Sequence, residues 1–242
     1  MKLYDLSNTL KTEGIVFRSL KYSETSLILE IYTLEKGLIS CIVGGVRKAR
    51  SKQANVFHPV NIIDLVIYES EEKLSRIKES GLAAQYHKIN FDVAVSAVAM
   101  FIIDLSRNAI RESESNPSMY AFLRSSLLLL DSGSQNLRFF PHRFALQLTA
   151  LLGFEPMDNY SDVNRYFDVL EGDFKDNDVR HQHILDESLS YSMHLLLQDG
   201  NVENMTKTDR AELLDALLDF YKLHLEGFRE LKCLPVLRSV LS

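Results

Sequence analysis

The sequence predicts an α+β protein, with an amino-terminal five-stranded β-barrel followed by an all-helical carboxy-terminal domain. Three observations carry this expectation. Short β-branched runs with partial two-residue alternation recur between Gly14 and Glu79, no strand-rich region follows them, and beyond Gly81 the apolar residues recur at three- and four-residue steps. Five short strands in so small a stretch suit closure, because a closed barrel leaves no unpaired edge.

The first strand is read at Gly14–Leu20 and the second at Ser26–Thr33. Glu35-Lys36-Gly37 is a tight-turn signal before the third, Leu38–Val43, which runs through Gly44-Gly45 into a basic segment. Val60–Tyr68 and Leu74–Lys78 complete the set. In the helical region, Val95, Val98, Ile102, Leu105 and Ala109 share one face, and Tyr120–Leu130 is a second helix. Pro141 suits the first turn of a third, which Gly153 stops. Glu187–Leu197 follows, and Thr206 or Thr208 caps a long final helix reaching about Gly227. These elements divide the chain into a barrel domain at 1–80 and a helical domain at 81–242, with an irregular, Asp-rich insert near 156–180.

Composition excludes several classes of function. Cys41 and Cys233 are the only cysteines, too few for a disulfide framework or a cysteine metal cage, and they fit a reducing cytoplasm. No apolar run approaches the ~20 residues that span a bilayer, and no signal-peptide core is expected at the amino terminus. The net charge of −6 argues at first against a polyanion as partner. Its distribution argues the other way: residues 1–52 hold nine Lys or Arg against five acids, so +4 sits at the front and −10 on the remainder.

That positive charge concentrates in Arg47-Lys48-Ala49-Arg50-Ser51-Lys52, where no acid neutralises it. Arg grips phosphate with a planar fork and Lys acts as a movable point charge, a mix suited to holding a nucleic-acid backbone without regard to sequence. On charge alone, a solvated basic turn is the favoured account. Arg18, Lys21 and Tyr22 extend the same face if the aromatic ring stacks on unpaired bases. Tyr32 and Phe57 are the other nearby aromatics, and barrel packing is the competing role for all three rings. His181-Gln182-His183 is the one close histidine pair, a weak metal signal without cysteines beside it. The spacing of the acids from Asp158 to Asp178 does not match a calcium loop. No nucleophile elbow, phosphate-cradling glycine loop, dinucleotide fingerprint or metalloprotease histidine pair is present, so a protein without catalytic activity is expected. An interaction scaffold working through the acidic helical body, and a nuclease with metal-binding carboxylates that cannot be placed, are the competing classes.

The ordered motifs Gly14-Ile15-Val16-Phe17-Arg18, Tyr22-Ser23-Glu24-Thr25-Ser26, Tyr32-Thr33-Leu34-Glu35-Lys36-Gly37, Gly44-Gly45-Val46-Arg47-Lys48 and His58-Pro59 resemble the amino-terminal motifs of the RecO family. Arg138-Phe139-Phe140-Pro141-His142-Arg143-Phe144 and Leu151-Leu152-Gly153-Phe154-Glu155-Pro156 extend the likeness into the helical region. The resemblance implies that the barrel is an oligonucleotide-binding (OB) fold and that the chain is a mediator of recombinational repair. Such a mediator binds single- and double-stranded DNA, anneals complementary strands, and works with RecR to load RecA onto strands coated with single-strand-binding protein.

The same resemblance favours DNA contact by Arg18, Lys21, Tyr22, Arg47, Lys48, Arg50 and Lys52, and a cytoplasmic, nucleoid-associated location. It also implies a site in the helical domain for the acidic, hydrophobic tail of single-strand-binding protein. Arg138, Phe140, Arg143 and Phe144 offer the required residue types, with a plain helix entry as the alternative. The chain departs from the family in one respect. Many members carry four zinc-binding cysteines after the Leu-Gly-aromatic-x-Pro motif, whereas none follows Pro156 before Cys233. No zinc or other cofactor is therefore expected, and packing by Tyr166, Phe167, Val169, Leu170 and Phe174 is expected to hold that segment.

Overall fold

In the computed structural model, which describes residues 9–46, 52–69, 74–111, 114–178, 181–202 and 205–241, five strands close into a barrel. They are β1 (Thr9–Lys21), β2 (Leu27–Thr33), β3 (Gly37–Val43), β4 (Ile62–Tyr68) and β5 (Leu74–Leu82), in the order β1-β2-β3-β5-β4. The β3–β5 pairing is parallel and the other four pairings are antiparallel. That order, with its single parallel pair, is the OB fold.

The first strand begins earlier than its hydrophobic pattern suggests, because it serves two neighbours. Thr9–Ile15 pairs with β4 and Gly14–Lys21 with β2, and a register shift between Val16 and Arg18 bends the strand round the barrel. The fourth strand begins later than expected. Val60 has φ of 84°, a conformation that no strand accommodates and that is unusual for a β-branched residue. The turn signal before β3 is real: Gly37 has φ of 63°, and a Cβ there would run into the Glu114 backbone carbonyl.

Leu29, Ile31, Cys41, Ile63, Leu65 and Ile67 fill the barrel interior. A 3-10 helix, Lys52–Phe57, lies between β3 and β4, and a single tight helical segment of this kind leaves no periodicity to read in the sequence. Val46 before the basic segment and Phe57 after it both belong to the barrel core. The basic segment is thus flanked in sequence by buried side chains.

The described residues fall into two compact units, one within Met1–Asp92 and Ile110–Ser132, the other within Val93–Ala109 and Gly133–Ser242. The barrel unit includes a helix, labelled α2 in chain order, at Pro117–Ser132. Tyr120 Oη and Arg124 Nε each donate to Glu13 Oε1 on β1 at 2.7 Å. Phe17, Tyr32 and Tyr120 form a run of stacked rings with centroids 5.6 and 6.5 Å apart.

The second unit holds α1 (Val93–Ala109), α3 (Phe140–Leu152), α4 (Glu187–Leu197), α5 (Lys207–His224) and α6 (Leu234–Val240). Thr206, rather than Thr208, caps α5, in a reciprocal capping box with Asp209. Helix α6 is only seven residues long, too short for its period to show in the sequence. The insert holds a two-stranded hairpin, β6 (Tyr166–Asp168) and β7 (Asp173–Lys175), whose three-residue strands are likewise too short to alternate visibly. Phe167, Val169 and Phe174 are buried as its packing requires, whereas Leu170 is exposed and Tyr166 only half-buried.

Gly153 ends α3 with φ of 82°, and a Cβ there would meet nothing within 4 Å. The cost of a side chain is therefore conformational alone. Gly153→Ala is expected to lower stability by about 1 kcal/mol in denaturant unfolding.

Candidate nucleic-acid interface

Strand register decides which of the candidate residues come together. Lys21 on β1 is opposite Leu27 on β2, and Leu27 is opposite Val43 on β3. Neighbouring strands lie about 4.8 Å apart, so the β1–β2 turn and the exit of β3 emerge side by side, roughly 10 Å across. Gly44 runs along the Ser26 side chain at that point. Lys21 and Tyr22 consequently flank the root of the basic segment.

Tyr22 is 64% exposed, which leaves its ring free to stack, and Lys21 is exposed at the strand end. Arg18 lies further along β1 and forms an ion pair with its cross-strand neighbour Glu30 at 3.2 Å. Part of its charge is already answered. Arg47, Lys48 and Arg50 lie outside the described residues, and Lys52 is placed only as the first residue of the 3-10 helix. Tyr32 and Phe57 are each 1% exposed, so neither ring is available to a base.

A second feature of the barrel unit has no counterpart in the sequence expectations. A cavity of about 500 Å³ is lined by Asn55, His58, Asn61, Gln85, Asn90 and Phe91, among others. Its wall is fixed by backbone and buried groups. Val60 N–H donates to the Val16 carbonyl at 2.9 Å, Val16 N–H donates to the Asn61 carbonyl at 2.9 Å, and Tyr86 Oη donates to the Val60 carbonyl at 2.9 Å. The strained Val60 is therefore held through both its N–H and its carbonyl, with the next residue, Asn61, also bonded to Val16, as such conformations must be to persist. Asn61 Nδ2 donates to the carbonyls of Asn55 and Val56, tying the end of the 3-10 helix to the start of β4. The segment after β5 is anchored by Asp131, whose carboxylate accepts the backbone N–H groups of His87, Lys88 and Ile89 at 2.8–3.0 Å.

In the helical unit, a smaller cavity of about 280 Å³ opens beside the first turn of α3. Phe140 and Arg143 line it together with Phe139 and Val202. Arg143 is engaged within the protein, donating to Asp199 Oδ1 at 2.6 Å and to the Gly200 carbonyl at 3.0 Å. Of the other two residues expected there, Phe144 is buried in the unit's core and Arg138 is exposed, and neither lines the cavity.

The histidine pair of the insert is tied to an acid: His181 Nε2 lies 3.2 Å from Asp168 Oδ2, with the His183 ring 5.9 Å from that of His181. Among the described residues no three His, Cys, Asp or Glu side chains gather as a metal site. Burial pushes the thiols of both Cys41 and Cys233 up to about 12, far from the range of reactive thiolates. No described helix is long and apolar enough to cross a membrane.

Comparison with known proteins agrees with this architecture. The family model for the recombination protein O N terminal matches residues 6–86, and that for the recombination protein O C terminal matches residues 90–232. The DNA repair protein RecO of Flavobacterium psychrophilum is 31% identical over 242 residues, covering 96% of this chain and 99% of its own. Those of Christiangramia forsetii and Bacteroides fragilis are 32% and 34% identical, covering 96% and 95% of this chain and 98% of their own lengths. With both family models in order on a closed OB barrel and a helical unit, the chain belongs to the RecO family of DNA repair and recombination proteins.

Proposed function

We propose that this chain is a non-catalytic recombination mediator that binds and anneals single-stranded DNA through its barrel domain, residues 1–80, and helps load RecA onto strands coated with single-strand-binding protein. One observation carries the reading: the register sets exposed Lys21 and Tyr22 beside the root of a segment with four cations and no acid. Phosphates are held by Lys21, Arg47, Lys48, Arg50 and Lys52, with Arg18 as a weaker contributor because it must leave Glu30. The Tyr22 ring stacks on a base. Grip of this kind ignores sequence and holds a strand while its complement searches, so annealing needs no chemical step. Double-stranded DNA meets the same cations.

The helical unit serves the protein partners. The cavity at α3 suits the acidic, hydrophobic tail of single-strand-binding protein, with Phe139 and Phe140 offering apolar surface and Arg143 a cation for the terminal carboxylate. That carboxylate would take the place of Asp199, which already models the contact within the chain. RecR is the remaining partner in the proposed loading step.

Replacing Arg47, Lys48, Arg50 and Lys52 together with alanine tests the reading. The variant is expected to keep its fold and to bind unrelated single strands at least tenfold more weakly. Its log–log salt dependence should be shallower by about 3, the contribution of four phosphate contacts on a single strand. Unchanged affinity and slope in a labelled-oligonucleotide titration would remove the segment from the interface.

A further inference from the structure

We infer that the cavity lined by Asn55, His58, Asn61, Gln85, Asn90 and Phe91 is a nucleobase pocket, taking one unpaired base of the strand whose backbone the basic segment holds. The inference rests on the proposed DNA-binding role of the barrel. It adds a site for a base, away from the face of Lys21 and Tyr22.

The chemistry of the lining selects the ligand class. No Lys, Arg, Asp or Glu lines the cavity among the described residues, so it is not built for a phosphate or a charged peptide end. It offers amide donors and acceptors together with an aromatic face. Asn, Gln and His side chains match the donor and acceptor edges of bases, and a flat exposed ring matches their π-faces. Phe91 is 84% exposed and lies at the rim of this cavity, so most of its ring is open to a stacking partner. The volume of about 500 Å³ falls within the usual range for small-molecule sites.

Two other cavities among the described residues show the contrast. At the α3 cavity Arg143 is satisfied by Asp199 and Gly200. Between α5 and α6 both cations of the lining are engaged within the protein, Arg238 with Asp215 and Lys222 with Asp219. In the barrel cavity the side chains of Asn55, His58, Gln85 and Asn90 have no hydrogen-bond partner among the described residues. These four side chains are thus available to a ligand without breaking a contact among the described residues, while Asn61 and Tyr86 hold the wall.

Placement along the chain joins the pocket to the cationic segment. The 3-10 helix starts at Lys52 and carries Asn55 three residues later, an advance of about 6 Å at the 3-10 rise. That is close to the spacing of neighbouring phosphates along an extended strand. A strand held by the cationic segment therefore has its next base near the pocket, and the turn at Val60, hydrogen-bonded through both its N–H and its carbonyl, keeps His58 and Asn61 in place.

The test compares a short single strand with an abasic strand of equal length, which carries the same phosphates and no bases. Full-length wild-type, Phe91→Ala, Phe91→Tyr and Asn90→Ala proteins are titrated with each at moderate salt. The expected result is tighter binding of the intact strand by wild type, a loss of about tenfold in that affinity with Phe91→Ala, and its recovery with Phe91→Tyr. Asn90→Ala should weaken the intact strand to a smaller extent. The abasic strand should bind every variant alike, with an unchanged salt slope. Equal binding of the two strands by wild type, or an intact-strand affinity untouched by Phe91→Ala, overturns the pocket and leaves the cationic segment standing. No binding of either strand overturns the DNA-binding role itself and the pocket with it. Phe91 and Asn90 are exposed, so neither substitution removes core packing.

Discussion

Between pH 6.5 and about 4 the helical unit is expected to lose about 3 kcal/mol of stability through a single side chain, His142. The imidazole lies in α3 and is only 3% exposed. Nε2 is 2.8 Å from the Arg210 carbonyl on α5, so this nitrogen carries the proton and donates it. Nδ1 is buried with no partner among the described residues. Adding a second proton there would create a buried charge with no acceptor for it among the described residues. Burial is the main reason the group is pushed down to about 4, the Arg210 carbonyl opposes the shift, and the Arg210 charge adds to it. The unfolded chain takes up its proton near the ordinary value and the folded unit only near 4. The stabilising contribution is consequently complete above pH 6.5, falls as the pH drops, and is gone below the folded value. His142→Gln keeps a donor for the Arg210 carbonyl and removes the titration. Denaturant unfolding of wild type should weaken steadily from pH 6.5 to 4, while the variant stays nearly flat over that window. A wild-type profile as flat as the variant's would show that water reaches Nδ1.

The barrel was legible because its strands carry β-branched runs punctuated by Gly37 and by Gly44-Gly45, and because burial of one face forces the register. Errors fell where local pattern and tertiary demand separate. The polar beginning of β1 gives no alternation worth reading, yet Thr9–Ile15 is strand because β4 pairs with it. Val60 belongs by composition to a strand and by conformation to a strained turn. The candidate interface was legible only as charge. The sequence places four cations together, but only the β1–β2–β3 register sets Lys21 and Tyr22 beside them. Phe91 could not be singled out, since an aromatic residue just before a helix is ordinarily core, and its 84% exposure is a property of the fold alone. Arg143 was singled out by type, whereas its engagement by Asp199 joins residues too far apart in sequence to be paired by inspection.

Asp131 looks misplaced in the sequence and carries the other large effect. It lies in the last turn of α2, where the helix dipole disfavours an acid, so local preference predicts a mildly destabilising residue. The structure reverses that expectation. Its carboxylate fills a crescent of three successive backbone N–H groups at His87, Lys88 and Ile89, a geometry suited to an anion. Burial by itself would raise the Asp131 carboxyl, and the three donors outweigh it, so the group ends below its usual range. Its contribution is therefore present above the ordinary carboxylate value near 3.8 and is lost as the pH falls through the depressed folded value, a lower window than that of His142. Acid unfolding should proceed in two stages, the helical unit weakening first and the barrel unit resisting to lower pH. At neutral pH, Asp131→Ala leaves three donors without their acceptor and is expected to cost about 3 kcal/mol, with Asp131→Asn intermediate because one carbonyl oxygen remains. Hydrogen exchange at residues 87–89 should accelerate in step. The same crescent precedes Asn90 and Phe91, so Asp131→Ala should also blur the preference for an intact over an abasic strand. A loss below about 1 kcal/mol with exchange unchanged would mean that solvent serves those N–H groups as well as the carboxylate does.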